Sequence, residues 1–178
     1  MGLDMYFYKK TYVKNWDHFK AKDRVQISIQ GGRGANIKPE RISYIVEEVA
    51  YWRKFNALHG WFVENCGGGV DKCQEINVSN KDLEDLLEIL NKVKSVIEVA
   101  KVVKKVEVDW NNNEYEVEVY DCEDMINDLF PPTKGFFFGS TEIDSYFKDD
   151  VFGTIDILTN LLNENKSHDS TFYYQASW

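Results

Sequence analysis

The hydrophobic period of this chain changes repeatedly, from two residues to three or four and back, which limits it to folds that mix sheet and helix. In LDMYFY, Leu3, Met5 and Phe7 alternate with Asp4, Tyr6 and Tyr8, which predicts a half-buried strand. RVQISI at 24–29 alternates in the same way and predicts a second strand. QGGRGAN at 30–36 is a glycine-rich turn, and Pro39 then suits the first turn of a helix.

From Glu40 the steps lengthen. Ile42, Ile45, Val46, Val49, Trp52, Phe55, Leu58 and Phe62 recur every three or four residues, predicting a long first helix that ends by the glycines of CGGGV. A short strand is expected at 75–78. Ser79 with Asp82 three residues on is a capping signal for a second helix through LEDLLEILNKVKSVIEVAK, whose β-branched end leaves its C-terminal boundary open. Residues 106–110 and 115–120 read as a hairpin around Asn111 to Asn113, side chains that tolerate left-handed backbone. CEDMINDLFPPTKG reads as an irregular link, because Pro131 and Pro132 exclude regular helix there. Thr141 is expected to cap a third helix, EIDSYFKDDVFGTIDILTNLLNEN, and STFYYQASW closes as a strand. The sum is an α+β domain over residues 1–178, about three main helices on a mainly antiparallel sheet of five or six strands, with α/β as the competing class.

Size and charge narrow the function classes. The chain has 178 residues and a formal net charge of -9, so its long-range field repels a nucleic-acid backbone while leaving room for a small anion beside local cations. No run approaches the length of a membrane span, and the first residues carry no secretory signal, so a cytosolic protein without membrane association is expected. Cys66, Cys73 and Cys122 show no CxxC spacing and are read as reduced structural thiols. Three dispersed histidines make a metal site an unfavoured reading, and no cofactor motif is present.

The densest polar and aromatic cluster is Tyr51, Trp52, Arg53, Lys54, Asn56, His59, Trp61 and Asn65. On one helix, Trp52, Asn56 and His59 would share a face, with Arg53 and Lys54 on another. Rings that stack on a base, amides that bond its edge and cations that meet phosphate suit a small anionic, nucleotide-like ligand. The plainer reading makes Trp52 core and pairs Arg53 and Lys54 with Glu47 or Glu48 on a solvated stripe. KGFFFGSTEID adds Lys134, Phe137, Ser140 and Thr141, and the last strand adds Tyr174 and Gln175. If extended, it turns Phe136 and Phe138 one way and Phe137 the other. GGRG at 31–34 matches neither phosphate-binding glycine pattern and reads as a mobile turn or lid from which Arg33 could reach an anionic ligand, and Asp71 could orient a neighbouring element. The paired carboxylates at 47–48, 82–85 and 149–150 read as exposed helix surface.

MGLDMY, EVAYWRKFNALHGWF, GFFFGSTEID and FYYQASW together resemble a family of small proteins encoded by bacteriophages and prophages. The resemblance implies a phage accessory protein in the bacterial cytoplasm, of the kind that antagonises host defence, and transfers no catalytic residue. Three functions follow for test: capture of a small nucleotide-like anion, inhibition of a host protein through an acidic surface such as the hairpin, and a small hydrolase or transferase using His59. The first is favoured, with catalytic residues and metal ligands assigned to none. Self-association is left open.

Overall fold

A computed structural model of the protein describes residues 2–32, 36–108, 111–164 and 170–178. It is an α+β fold whose strands are all antiparallel, with four α-helices and six strands among the described residues. The strands are β1 (Asp4–Tyr12), β2 (Tyr44–Arg53), β3 (Ile76–Val78), β4 (Val102–Val108), β5 (Glu114–Tyr120) and β6 (Ser170–Ser177). They divide into a four-stranded sheet, in the order β2-β1-β6-β3, and the separate hairpin β4-β5. The helices are α1 (Asn56–Asn65), α2 (Asn80–Val99), α3 (Glu123–Leu129) and α4 (Ser145–Glu164).

The opening alternation holds. Leu3, Met5 and Phe7 are fully buried, and Phe7 stacks on Phe172 of β6 with ring centroids 5.5 Å apart. The chain's two ends thus meet in the middle of one sheet, along eight register pairs from Asp4↔Ser177 to Thr11↔Ser170. Leu83, Leu86, Leu90, Val93 and Ile97 of α2 and Val151, Leu158 and Leu161 of α4 complete this core. Ser79 and Asp82 form the capping box that opens α2.

Five expectations are corrected. Residues 44–53, read as the front of a long helix, form β2 instead. The cause is a β-bulge: Phe7 faces Ala50 and Tyr8 faces Glu48, so Val49 is an extra residue that breaks the two-residue alternation. Ile45, Val49 and Trp52 then fall on helix-like steps inside a strand. The helical reading is right only from residue 56 onward. Residues 24–29 form no strand; instead the Asn15 side chain bonds both the amide and the carbonyl of Val25. The supposed link contains α3, which buries Ile126 and stops before the prolines. Asp144, not Thr141, caps α4, its Oδ1 accepting from the Phe147 amide at 2.9 Å. The hairpin is longer than expected, starting at Val102, and Asn112 takes the left-handed conformation at φ 63°. Trp110, expected to end its first strand, lies outside the described residues.

All the long helices pack on one side of the four-stranded sheet. Its other face is open and rich in tyrosine: Tyr6 and Tyr8 stack with planes 7° apart, and Tyr51 leans on Tyr6 at 5.4 Å. Tyr173 is paired with Tyr8 across the strands.

Candidate functional site

The site is built where β2 gives way to α1. Lys54 has a left-handed backbone, φ 61°, and its amide donates to the Leu3 carbonyl at 2.8 Å. This turn delivers Asn56 into the interior, 3% exposed. The Asn56 amide group donates to the carbonyls of Phe138 (3.1 Å) and Ser140 (2.6 Å), while its oxygen accepts from the Thr133 amide at 3.2 Å. One side chain therefore pins residues 133–140 against the start of α1. Gly139, at φ 88°, lies so close to Lys54 that an added Cβ would sit 3.0 Å from the lysine Cβ. At Gly60 an added Cβ would meet Thr133 Oγ1 at 2.0 Å, so the helix admits this segment only because position 60 has no side chain.

One turn further on, His59 is 2% exposed with both ring nitrogens engaged. Nδ1 lies 2.8 Å from the Tyr174 hydroxyl and Nε2 lies 3.0 Å from Asp71 Oδ2. Burial first, and then the charge of Asp71, push the Tyr174 phenol far above its ordinary range. Tyr174 therefore keeps its proton, and because a carboxylate only accepts, Nε2–H donates to Asp71. Trp178 adds an indole N–H to the other Asp71 oxygen at 3.3 Å, and Phe138 packs edge-on against both His59 and Trp178. The relay joins α1, β6 and the loop after α1, the orienting role expected of Asp71.

Two cavities flank the pinned segment. The larger, about 440 Å³, lies beside the relay and is lined by Trp61, Phe130 and Phe138 with the polar groups of Asn65, Asp71 and Thr133. Glu64 also lines it, and no lysine or arginine does. The smaller, about 370 Å³, lies on the other side and has Arg53, Lys54 and Ser140 facing Glu142, Asp144, Asp149 and Asp150. Burial, reinforced by Asp144 and Asp149, pushes the Asp150 carboxyl up to about 6. Its neighbour Glu142 is bound by Lys105 at 2.7 Å.

The expected residues are thus dispersed and do not form one site. His59 and Tyr174 belong to the relay, and Asn56 is committed to the pinned segment. Trp52 points into the core and bonds Thr154 Oγ1 at 2.9 Å. Tyr51, Arg53 and Gln175 are on the open sheet face, Tyr51 bonded to Asp4, Arg53 at 3.9 Å from the same carboxylate and Gln175 donating to the Cys73 carbonyl. Lys54 and Ser140 line the smaller cavity. Lys134 is exposed and Thr141 half-buried. Phe136 and Phe138 do not share a face: residues 135–138 turn back, Phe138 N–H bonding the Gly135 carbonyl, so Phe138 is buried, Phe136 is 94% exposed and Phe137 lies between.

Sequence reasoning missed Thr133, Phe130 and Trp178. Their only signal was proximity to proline, or to an aromatic run, without periodicity. Arg33 and His168 lie outside the described residues. Cys66, Cys73 and Cys122 are free, and burial pushes the Cys66 thiol up to about 12, which keeps it protonated. Among the described residues no group of three or more His, Cys, Asp or Glu could hold a metal ion, and no helix is long and apolar enough to cross a membrane. Comparison with protein-family models, curated proteins and solved structures gave no match to this chain.

Proposed function

We propose that the chain is a binding protein that captures a small nucleotide-like molecule, its base inserted into the larger cavity beside α1. The observation that carries this reading is the lining: aromatic walls from Trp61, Phe130 and Phe138 meet the polar groups of Asn65 and Thr133 in about 440 Å³, a volume within the range of small-molecule sites. Rings of this kind stack on a base, and amide and hydroxyl groups read its edge. Glu64 and Asp71, without a lysine or arginine in the wall, direct recognition to the base and sugar; a phosphate would lie at the mouth, where exposed Lys134 follows Thr133. Capture is favoured over turnover by His59, because both of its ring nitrogens already have partners. Taken with the resemblance to phage accessory proteins, such capture would lower the free concentration of a nucleotide signal used in host defence.

The test is thermal unfolding against bases, nucleosides, linear and cyclic nucleotides and ADP-ribose derivatives. A ligand at a hundred times its Kd stabilises by about 2.7 kcal/mol. For a chain of this length that raises Tm by roughly 5–10 °C. No shift with any of them contradicts the reading.

A further inference from the structure

The four-stranded sheet ends on one side at β2, a ten-residue strand paired only with β1. Among the described residues, no other segment bonds the backbone of residues 44–53. Tyr44, Ile45 and Val46 are 52%, 38% and 59% exposed, so both faces of the strand are accessible there, with Lys10 and Tyr12 touching one side of the Tyr44 ring. Unpaired edges are ordinarily blunted by proline, lysine, or a covering helix or loop. Here the apolar triplet runs instead into two exposed carboxylates, Glu47 and Glu48. Neither has a cation within 4 Å among the described residues: Lys9, opposite Glu47, has its ammonium 3.8 Å from Glu164, and Glu48 faces Tyr8. The charge beside the Tyr8 phenol is felt, since burial and then Glu48 raise its pKa.

We propose that β2 is a strand-addition site for an extended segment of a partner protein in which apolar residues are followed or interleaved by lysine or arginine. The open backbone edge supplies main-chain hydrogen bonds, and alternate side chains supply selectivity. Apolar residues cover Tyr44, Ile45 and Val46, while cations meet Glu47 and Glu48. Charge complementarity selects this occupant over a second copy of the chain, which would bring two further carboxylates and another net charge of -9 to the same edge. Residues 44–48, which would carry the contact, line neither cavity.

The experiment is fluorescence anisotropy of the full chain with labelled ten-residue peptides of alternating lysine and valine, or glutamate and valine. The basic peptide should bind at least about tenfold more tightly than the acidic one. The double variant Glu47→Gln/Glu48→Gln should weaken it roughly fivefold, whereas Glu114→Gln/Glu118→Gln, the same charge change on the hairpin, should change it by less than about twofold. A peptide N-methylated at alternate residues should lose binding, because it cannot form the ladder. Equal weakening by both double variants would reduce the effect to general attraction and overturn the proposal. Undiminished binding of the N-methylated peptide, or a sedimenting dimer that the basic peptide does not dissociate, would also overturn it.

Discussion

Asp71 Oδ2 accepts a hydrogen bond from His59 Nε2 at 3.0 Å, and that contact fixes which way the buried imidazole carries its proton. Asp71→Asn should therefore disturb the tautomer as well as stability. Loss of a charge-assisted bond at this partly exposed site should cost about 1–2 kcal/mol in urea unfolding. Nitrogen chemical shifts of His59 should report the Nε2–H form in the unaltered protein and a mixture in the variant. Tyr174→Phe should cost a similar amount while leaving the Nε2–H form in place.

Asn56 holds residues 133–140 through three hydrogen bonds, so its replacement acts on that segment first. Asn56→Ala should lower stability by about 2–4 kcal/mol, because buried carbonyls and an amide lose their partner. Hydrogen exchange should rise at the Thr133 amide and, through the Phe137 carbonyl, at the amide of Leu3. Unchanged exchange at both amides would contradict the clamp.

The three consecutive phenylalanines should separate in alanine substitution. Phe138→Ala should cost about 3–5 kcal/mol, as expected for a buried ring packed on His59. Phe136→Ala should stay within about 0.5 kcal/mol, because the ring is 94% exposed. Phe137→Ala should fall between them.

Asp150 predicts a pH dependence of defined sign. Its folded pKa, about 6, lies above the ordinary carboxylate value of 3.8, so the native state binds the proton more tightly than the unfolded chain. Its ionised form therefore weakens the fold at neutral pH, and this group's contribution improves as pH falls from about 7 toward 4. Asp150→Asn should stabilise the protein at pH 7.5 by roughly 1 kcal/mol, allowing for screening at a half-buried site, and should lose that advantage near pH 4. Urea midpoints at the two pH values measure the difference.

The sequence made some parts of this protein plain and hid others for identifiable reasons. Uninterrupted periods read correctly: β1 with its buried Leu3, Met5 and Phe7, and α2 behind the Ser79 and Asp82 box. The bulge at Val49 disguised β2, since one extra residue turns alternation into helical steps. Moving 44–53 from helix to strand split the expected cluster, sending Tyr51 and Arg53 to one face of the sheet and Trp52 to the other. His59 and Tyr174 were legible as polar groups within patterned segments, but their meeting depends on β6 lying beside β1, a pairing of chain ends that local pattern does not encode. Thr133 and Phe130 were hidden because tertiary contacts alone place them.

The central claim is that the cavity beside α1 accepts a base. Its most direct measurement is the change in amide, indole and side-chain NMR shifts during titration with nucleosides and nucleotides. The account predicts saturable shifts at the Trp61 indole, the Asn65 side chain and Thr133, abolished by Ile89→Trp, which fills the cavity from α2. Saturable shifts confined to Tyr6, Tyr8 and Tyr51 on the open face of the sheet, or none at millimolar ligand, would contradict it.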